Sequence, residues 1–185
     1  PPRSPRASSA PRSTGCWPRK AKALRYAVRQ DSGVTSPALG DHTAYRISGD
    51  PSDIDLDRVH AWLSTEAYWA LGRPREVTER AVAGSRVWGA FDRAGEQVGV
   101  ARLVTDGATF GWLCDVFVAR EHRGRGLGSA LVAAVLAETE ALGLKRVLLA
   151  TEDAHEVYAR HGFAALSDPT MWMARRPPVD RPAAD

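Results

Sequence analysis

Long hydrophobic runs are missing from this chain of 185 residues. No apolar stretch approaches the roughly 18 residues that cross a bilayer, which excludes a helical membrane-spanning protein. Cysteine is scarce as well. Cys16 and Cys114 lie in very different surroundings and make neither a disulfide framework nor a metal-ligand spacing, so no metal is expected and a reducing, cytoplasmic setting fits. Acid is absent from residues 1–30, which hold eight of the 25 Lys and Arg; the rest keeps 17 cations against all 22 acids and is net acidic by five. The formal charge of +3 therefore belongs to the first segment. That segment is rich in Pro, Ser and Arg with few large apolar residues to bury, and residues 1–43 read as a disordered basic tail. An organelle-targeting segment or a nucleic-acid arm is the alternative, but the scattered prolines break any long amphipathic helix there. The start at Pro1, with no initiator Met, points to a processed or truncated beginning.

What is present is ordinary globular composition, 44% hydrophobic and 25% charged, in a length that suits one domain. From about residue 44 the texture turns to short apolar strands and amphipathic helices, and it fades again in a loose tail, 177–185. "AYRISG" alternates as a first strand. Residues 55–71 place Leu56, Val59, Leu63, Tyr68 and Trp69 at helical spacings, ended by Gly72 and Pro74. A shorter helix over 75–84 follows. "RVWGAFD", "QVGVARLVT" and "TFGWLCDVFV", joined by glycine-containing turns, form an antiparallel meander. "SALVAAVLAETEAL" is a helix with Gly143 as its stop, and "RVLLAT" is a strand buried on both faces. "DAHEVYARHGF" is a short helix with Asp153 as N-cap, Glu156 as its capping partner and Gly162 as its stop. "FAALS" and "MWMAR" finish as a hairpin around Asp168-Pro169.

The stretch "REHRGRGLGSALV", residues 120–132, sets Arg123 and Arg125 among Gly124, Gly126 and Gly128, between a strand and a helix. Unpaired N–H groups at a helix start, together with the macrodipole, favour an anion. Glycine lets the backbone approach phosphate oxygens, and the arginines add full charge. No Lys-Ser/Thr follows the glycines, which argues against a nucleoside-triphosphate P-loop. A dinucleotide-binding β-α-β unit with Glu152 near the ribose ranks second, because the glycines are spaced GxGxG and too little chain follows for the rest of such a sheet.

The order of elements over 45–176 resembles the GNAT superfamily of acyl-CoA-dependent N-acyltransferases. "DVFVAREHRGRGLGSALV" is similar to the family's strand, [Q/R]-x-x-G-x-[G/A] loop and helix, with Arg123, Gly126 and Gly128 matching. "DAHEVYARHGF" resembles its A-x-x-x-Y-x-x-x-G-F segment through Ala154, Tyr158, Gly162 and Phe163. One departure is Thr151, which stands where the family often carries Asn. The resemblance implies a mixed α/β (α+β) domain with a mostly antiparallel twisted sheet of about six to seven strands, flanked by about four helices and splayed at strands 4 and 5.

The resemblance also implies transfer of an acetyl group from the cosubstrate acetyl-CoA to a primary amine of a small molecule or peptide. Arg123, Arg125 and the N–H groups of Gly124, Arg125, Gly126, Leu127, Gly128 and Ser129 would anchor the diphosphate. The edge of Val116, Phe117 and Val118 would pair with pantetheine, and Thr151 lies beside the same cofactor. Tyr158 would protonate the leaving thiolate and also touch the cofactor. Asp115, an acid in an apolar strand, is the first candidate for the base, with a structural ion pair as the alternative. His155, Glu152 and Asp153 are weaker candidates, and Cys114 reads as a small buried hydrophobe. Trp62, Tyr68, Trp69 and Trp112 are candidates for the acceptor pocket, and Asp106 with other acids at strand ends would favour a cationic amine. The rival function is an acyl-CoA-binding sensor without catalysis. A homodimer is compatible with all of this; membranes are excluded as partners, and nucleic acid has only the basic tail to recommend it.

Overall fold

The computed structural model describes residues 45–175, so the expectations for both tails lie outside the described residues. Strands β1 (Arg46–Ser48), β2 (Arg86–Phe91), β3 (Gln97–Thr105), β4 (Phe110–Val118) and β5 (Arg146–Leu148) form one sheet in sequential order. The first four pair antiparallel and β4 pairs parallel with β5. A single parallel pair at one edge is unlike the parallel sheet on which dinucleotides are bound, and the second-ranked reading loses its scaffold.

Four helices cover the sheet: α1 (Leu56–Thr65), α2 (Arg75–Ala83), α3 (Leu127–Ala141) and α4 (His155–Ala159). On one face Leu127, Leu131, Val132 and Val135 of α3 pack on Trp88, Ala90, Val98, Ala101, Leu103 and Leu113. On the other, Val59 and Leu63 of α1 meet Val87, Val100 and Phe117. The period-2 alternation of the strands feeds both layers, and α3 comes close because Gly99 lies beneath it. A Cβ there would stand 3.0 Å from the Phe117 carbonyl and 3.2 Å from Leu131 Cδ1.

Several expectations need correction. The sheet has five strands among the described residues, not six or seven. The expected closing hairpin is absent: Asp168 accepts from the Thr170 N–H at 3.1 Å and caps a 3-10 turn over Pro169–Met171. The Asp-Pro turn signal was sound, but its flanks join no ladder. β5 is therefore an edge strand of three residues, exposed to half-buried instead of buried on both faces. Helix α1 ends at Thr65, before the aromatic pair. The N–H groups of Glu66 and Ala67 both donate to Trp62 O, while the Ser64 and Thr65 hydroxyls back-bond to His60 and Ala61 carbonyls. Tyr68 and Trp69 thus stand in a turn that leads to α2, which forms as expected and ends at Gly84.

Candidate active site

The site begins with a fault in β4. Val100 pairs with Phe117 but Arg102 pairs with Cys114, so β4 carries one extra residue against β3. Asp115 sits in that bulge with φ +49°, the left-handed region, which Asp tolerates better than most residues. The bulge bends the strand. β4 and β5 pair only over Phe110–Trp112 and Arg146–Leu148, and past that point they part into a cleft of about 570 Å³. Val116, Phe117 and Val118 line one wall; Thr151 and Tyr158 line the other.

Asp115 holds the bulge in place. Arg73 donates from Nη1 and Nη2 to its two oxygens at 3.0 and 3.2 Å, Arg102 Nε donates at 2.8 Å, and Trp69 Nε1 donates at 3.1 Å. Burial alone would raise the carboxyl pKa, but the hydrogen bonds and charges of Arg73 and Arg102 outweigh it and hold the group below its ordinary value. A carboxylate so occupied is a poor proton acceptor. The expectation of Asp115 as base gives way to its alternative, an ion pair that ties the α1–α2 turn and β3 to the β4 bulge. Cys114 next to it is pushed up to about 11 by burial, which leaves a thiol in place of a nucleophilic thiolate.

The glycine loop runs from β4 to α3 at one end of this cleft. Gly124 and Gly126 take φ +73° and +76°, and Gly126 is the N-cap of α3 with no side chain capping the helix. The first N–H groups of the helix are thereby left without intrahelical acceptors. A Cβ on Gly124 would meet nothing within 4 Å, so the loop lies open. Arg123 donates from Nε to the Val118 carbonyl at 2.8 Å and lies over the Phe117 ring, at the cleft wall. Arg125 turns to the Tyr45 hydroxyl at 3.2 Å, and that hydroxyl also meets His122 Nδ1 at 2.9 Å. Ser129 Oγ lies 2.6 Å from His161 Nε2, in hydrogen-bond contact, and burial, with Arg160, lowers the His161 pKa, favouring a neutral ring. The open loop, the helix-start N–H groups without intrahelical acceptors and the adjacent arginine have the chemistry to hold an anion.

Across the cleft Tyr158 packs edge-to-face with Phe163, ring centroids 6.0 Å apart. Burial, and then the nearby Tyr68 and Asp153, raise its pKa, so the phenol keeps its proton at neutral pH. Thr151 puts its hydroxyl on the Ala154 N–H at 3.1 Å, a local cap for α4. That corrects the expectation for Asp153: Ala154 is the N-cap, without a side-chain cap of its own, and Asp153 faces the cleft instead.

Tyr68, Trp69 and Trp112 line the cleft, whereas Trp62 stacks on Phe117 with centroids 5.4 Å apart. Asp106 is not among the cleft residues. It caps the β3–β4 turn, accepting from Ala108, Thr109 and Phe110 N–H groups and the Thr109 hydroxyl, which hold its pKa well below the carboxylate range. Sequence reasoning missed Arg73 and Arg102. An arginine inside apolar β3 near the register of Asp115 was a usable signal; Arg73, in a turn 42 positions from Asp115, gave none. It also missed the contact that joins the two walls, the Glu152 N–H donating to the Tyr68 hydroxyl at 3.1 Å.

Comparison with known proteins agrees with this geometry. The family model described as the acetyltransferase (GNAT) family matches residues 56–163. This chain belongs to the GNAT acetyltransferase family. Its relatives include a Gibberella zeae protein named "putative acetyltransferase", 29% identical over 150 residues, or 69% of this chain and 83% of that one. A crystal structure from Xanthomonas campestris pv. campestris, titled a "putative acetyltransferase belonging to the gnat family", is 43% identical with a TM-score of 0.68 and covers 72% of this chain and 94% of that one. A Mycobacterium tuberculosis protein solved in complex with CoA and NLQ is 28% identical with a TM-score of 0.54, covering 65% of this chain and 72% of that one. Among the described residues no helix is long and apolar enough to cross a membrane.

Proposed function

We propose that this protein transfers an acetyl group from acetyl-CoA to a primary amine of a small molecule or peptide, by direct attack with both substrates bound. The observation that carries this reading is that one cleft joins the open edge of β4 beyond its bulge, the arginine beside the glycine loop and the protonated phenol of Tyr158. Acetyl-CoA supplies an acyl group activated as a thioester. The N–H groups of Gly124 to Ser129 and the guanidinium of Arg123 hold the diphosphate, with Leu127 and Gly128 at the helix start. Val116, Phe117 and Val118 offer the splayed edge to the pantetheine amides, and Thr151 borders the same groove. Anchoring the unreactive part of the donor converts binding energy into orientation of the thioester. Tyr158 holds a proton for the sulfur as the C–S bond breaks. The amine proton leaves to the solvent of the open cleft, since Asp115 is fully engaged by its arginines.

The test is a melting comparison of the protein with acetyl-CoA, CoA and NAD(P)H, followed by an amine screen that reads CoA release. A ligand at 100 times its Kd adds about 2.7 kcal/mol, which a melting curve resolves. Stabilisation by the CoA species, with CoA released only when an amine is present, is the expected result. Stabilisation without release would identify an acyl-CoA sensor, and stabilisation by NAD(P)H alone would overturn the reading.

A further inference from the structure

The acceptor wall holds more positive charge than its own carboxylates neutralise. Arg73 and Arg102 have side chains 18% and 13% exposed, and both are paired with the same carboxylate, that of Asp115, 4% exposed. Among the described residues neither has a second carboxylate within ion-pair distance; Arg102 Nη1 donates instead to the neutral Ser85 hydroxyl at 2.8 Å. Arg73 Nε and Arg102 Nη2 meet no protein acceptor there, and neither is a fully buried, unsatisfied atom. The other charges of the cleft lie elsewhere: Glu66 is paired with Arg120 at 3.2 Å, Asp153 stands on the opposite wall beside Tyr158, and Arg123 belongs to the glycine loop. Two mostly buried cations on one buried anion leave one positive charge partly removed from water, a cost that no second carboxylate among the described residues offsets.

We infer that the acceptor amine carries an anionic group, a carboxylate or a phosphate, bound by Arg73 and Arg102 beside Trp69 and Trp112. This rests on the acetyltransfer reading and names the acceptor's chemical class. The free guanidinium nitrogens supply charge-assisted donors, which suit an oxyanion far better than the ammonium of a polyamine. The indoles, which line the same cleft, give the remainder of the acceptor an apolar contact. A simple cationic amine, the expectation from Asp106 and the strand-end acids, finds no unpaired carboxylate on this wall among the described residues.

The experiment titrates the CoA-loaded protein calorimetrically with two matched pairs, phenylalanine against phenylalaninamide and O-phosphoethanolamine against ethanolamine. The expected result is at least tenfold tighter binding of the anionic member in one pair, and the pair that responds tells carboxylate from phosphate. Arg73→Gln, which leaves Arg102 on Asp115, should erase most of that preference, while Arg73→Lys restores part of it; an unchanged CoA affinity in both variants shows that they remain folded. Equal binding within both pairs, tighter binding of a neutral member, or no binding of any of the four overturns the inference. Acetyl transfer is followed in parallel. Anionic preference without any CoA release would sink the catalytic reading and leave the anion site standing; CoA release with neutral amines alone would do the reverse.

Discussion

The two ends of the cleft are built in opposite ways. The end proposed to hold the donor comes from one continuous stretch, β4 through the glycine loop into α3, so its geometry follows from neighbours in sequence. Two left-handed glycines turn the chain and an uncapped helix start presents its N–H groups. The end proposed to take the acceptor is assembled from the α1–α2 turn, β3, the β4 bulge and the loop after β5, which meet only on folding. Its centre is one carboxylate with donors from three residues on two other segments, Trp69 and Arg73 of the turn and Arg102 of β3. A locally encoded site resists distant substitutions, whereas an assembled one depends on a few buried polar contacts.

The largest effect should come from breaking the assembled end. Asp115→Ala leaves Arg73 and Arg102 buried without their partner, and losing one member of a buried pair costs about 3–5 kcal/mol. Urea unfolding of the two proteins should show that loss, and a difference under 1 kcal/mol would mean that solvent already reaches the arginines. The same contact sets a pH dependence. Because the folded pKa of Asp115 lies below its unfolded value, near 3.9, the stabilisation is complete above about that pH and is lost as pH falls through the depressed folded value. The gap between wild type and Asp115→Ala should therefore narrow in acid and stay constant from pH 5 to 8.

The next effect tests the junction of the two ends. Tyr158→Phe removes only a hydroxyl from a ring packed on Phe163, so CoA affinity should stay within about twofold, while kcat falls by the roughly 10²–10⁴-fold typical of general acid catalysis. Rapid-quench turnover with a saturating amine decides it. Unchanged kcat would transfer the acid role to solvent and leave the tyrosine as packing.

The same contrast explains how much was legible from sequence. The glycine loop, α3, the β2–β4 meander and the Tyr158 segment were readable because spacing, turn residues and apolar period are local signals. The length of α1 was misjudged because Tyr68 and Trp69 continue its apolar period, yet Trp69 is drawn to Asp115 and Tyr68 to the Glu152 N–H, contacts of long sequence separation. Asp153 resembled a cap by spacing alone, but the helix starts one residue later, at the N-cap Ala154, whose own N–H donates to the Thr151 hydroxyl. Asp115 was recognised as unusual with both readings open, because a buried acid in a strand reads alike as base or as ion-pair partner until its cations are placed.

The smallest effect should lie at the donor end, where many weak contacts share the load. Arg123 is one charge beside several backbone donors, and its Nε is already committed to the Val118 carbonyl. Arg123→Ala should weaken CoA by about tenfold, in line with the 1.5–3 kcal/mol of a hydrogen bond to a charged group softened by exposure. Pantetheine, which lacks the diphosphate, should lose little. Equal losses for both would show that Arg123 acts by holding the loop against Val118 and Phe117, and the distributed picture of the donor end would then fail, since one side chain would be organising the backbone donors as Asp115 organises the opposite wall.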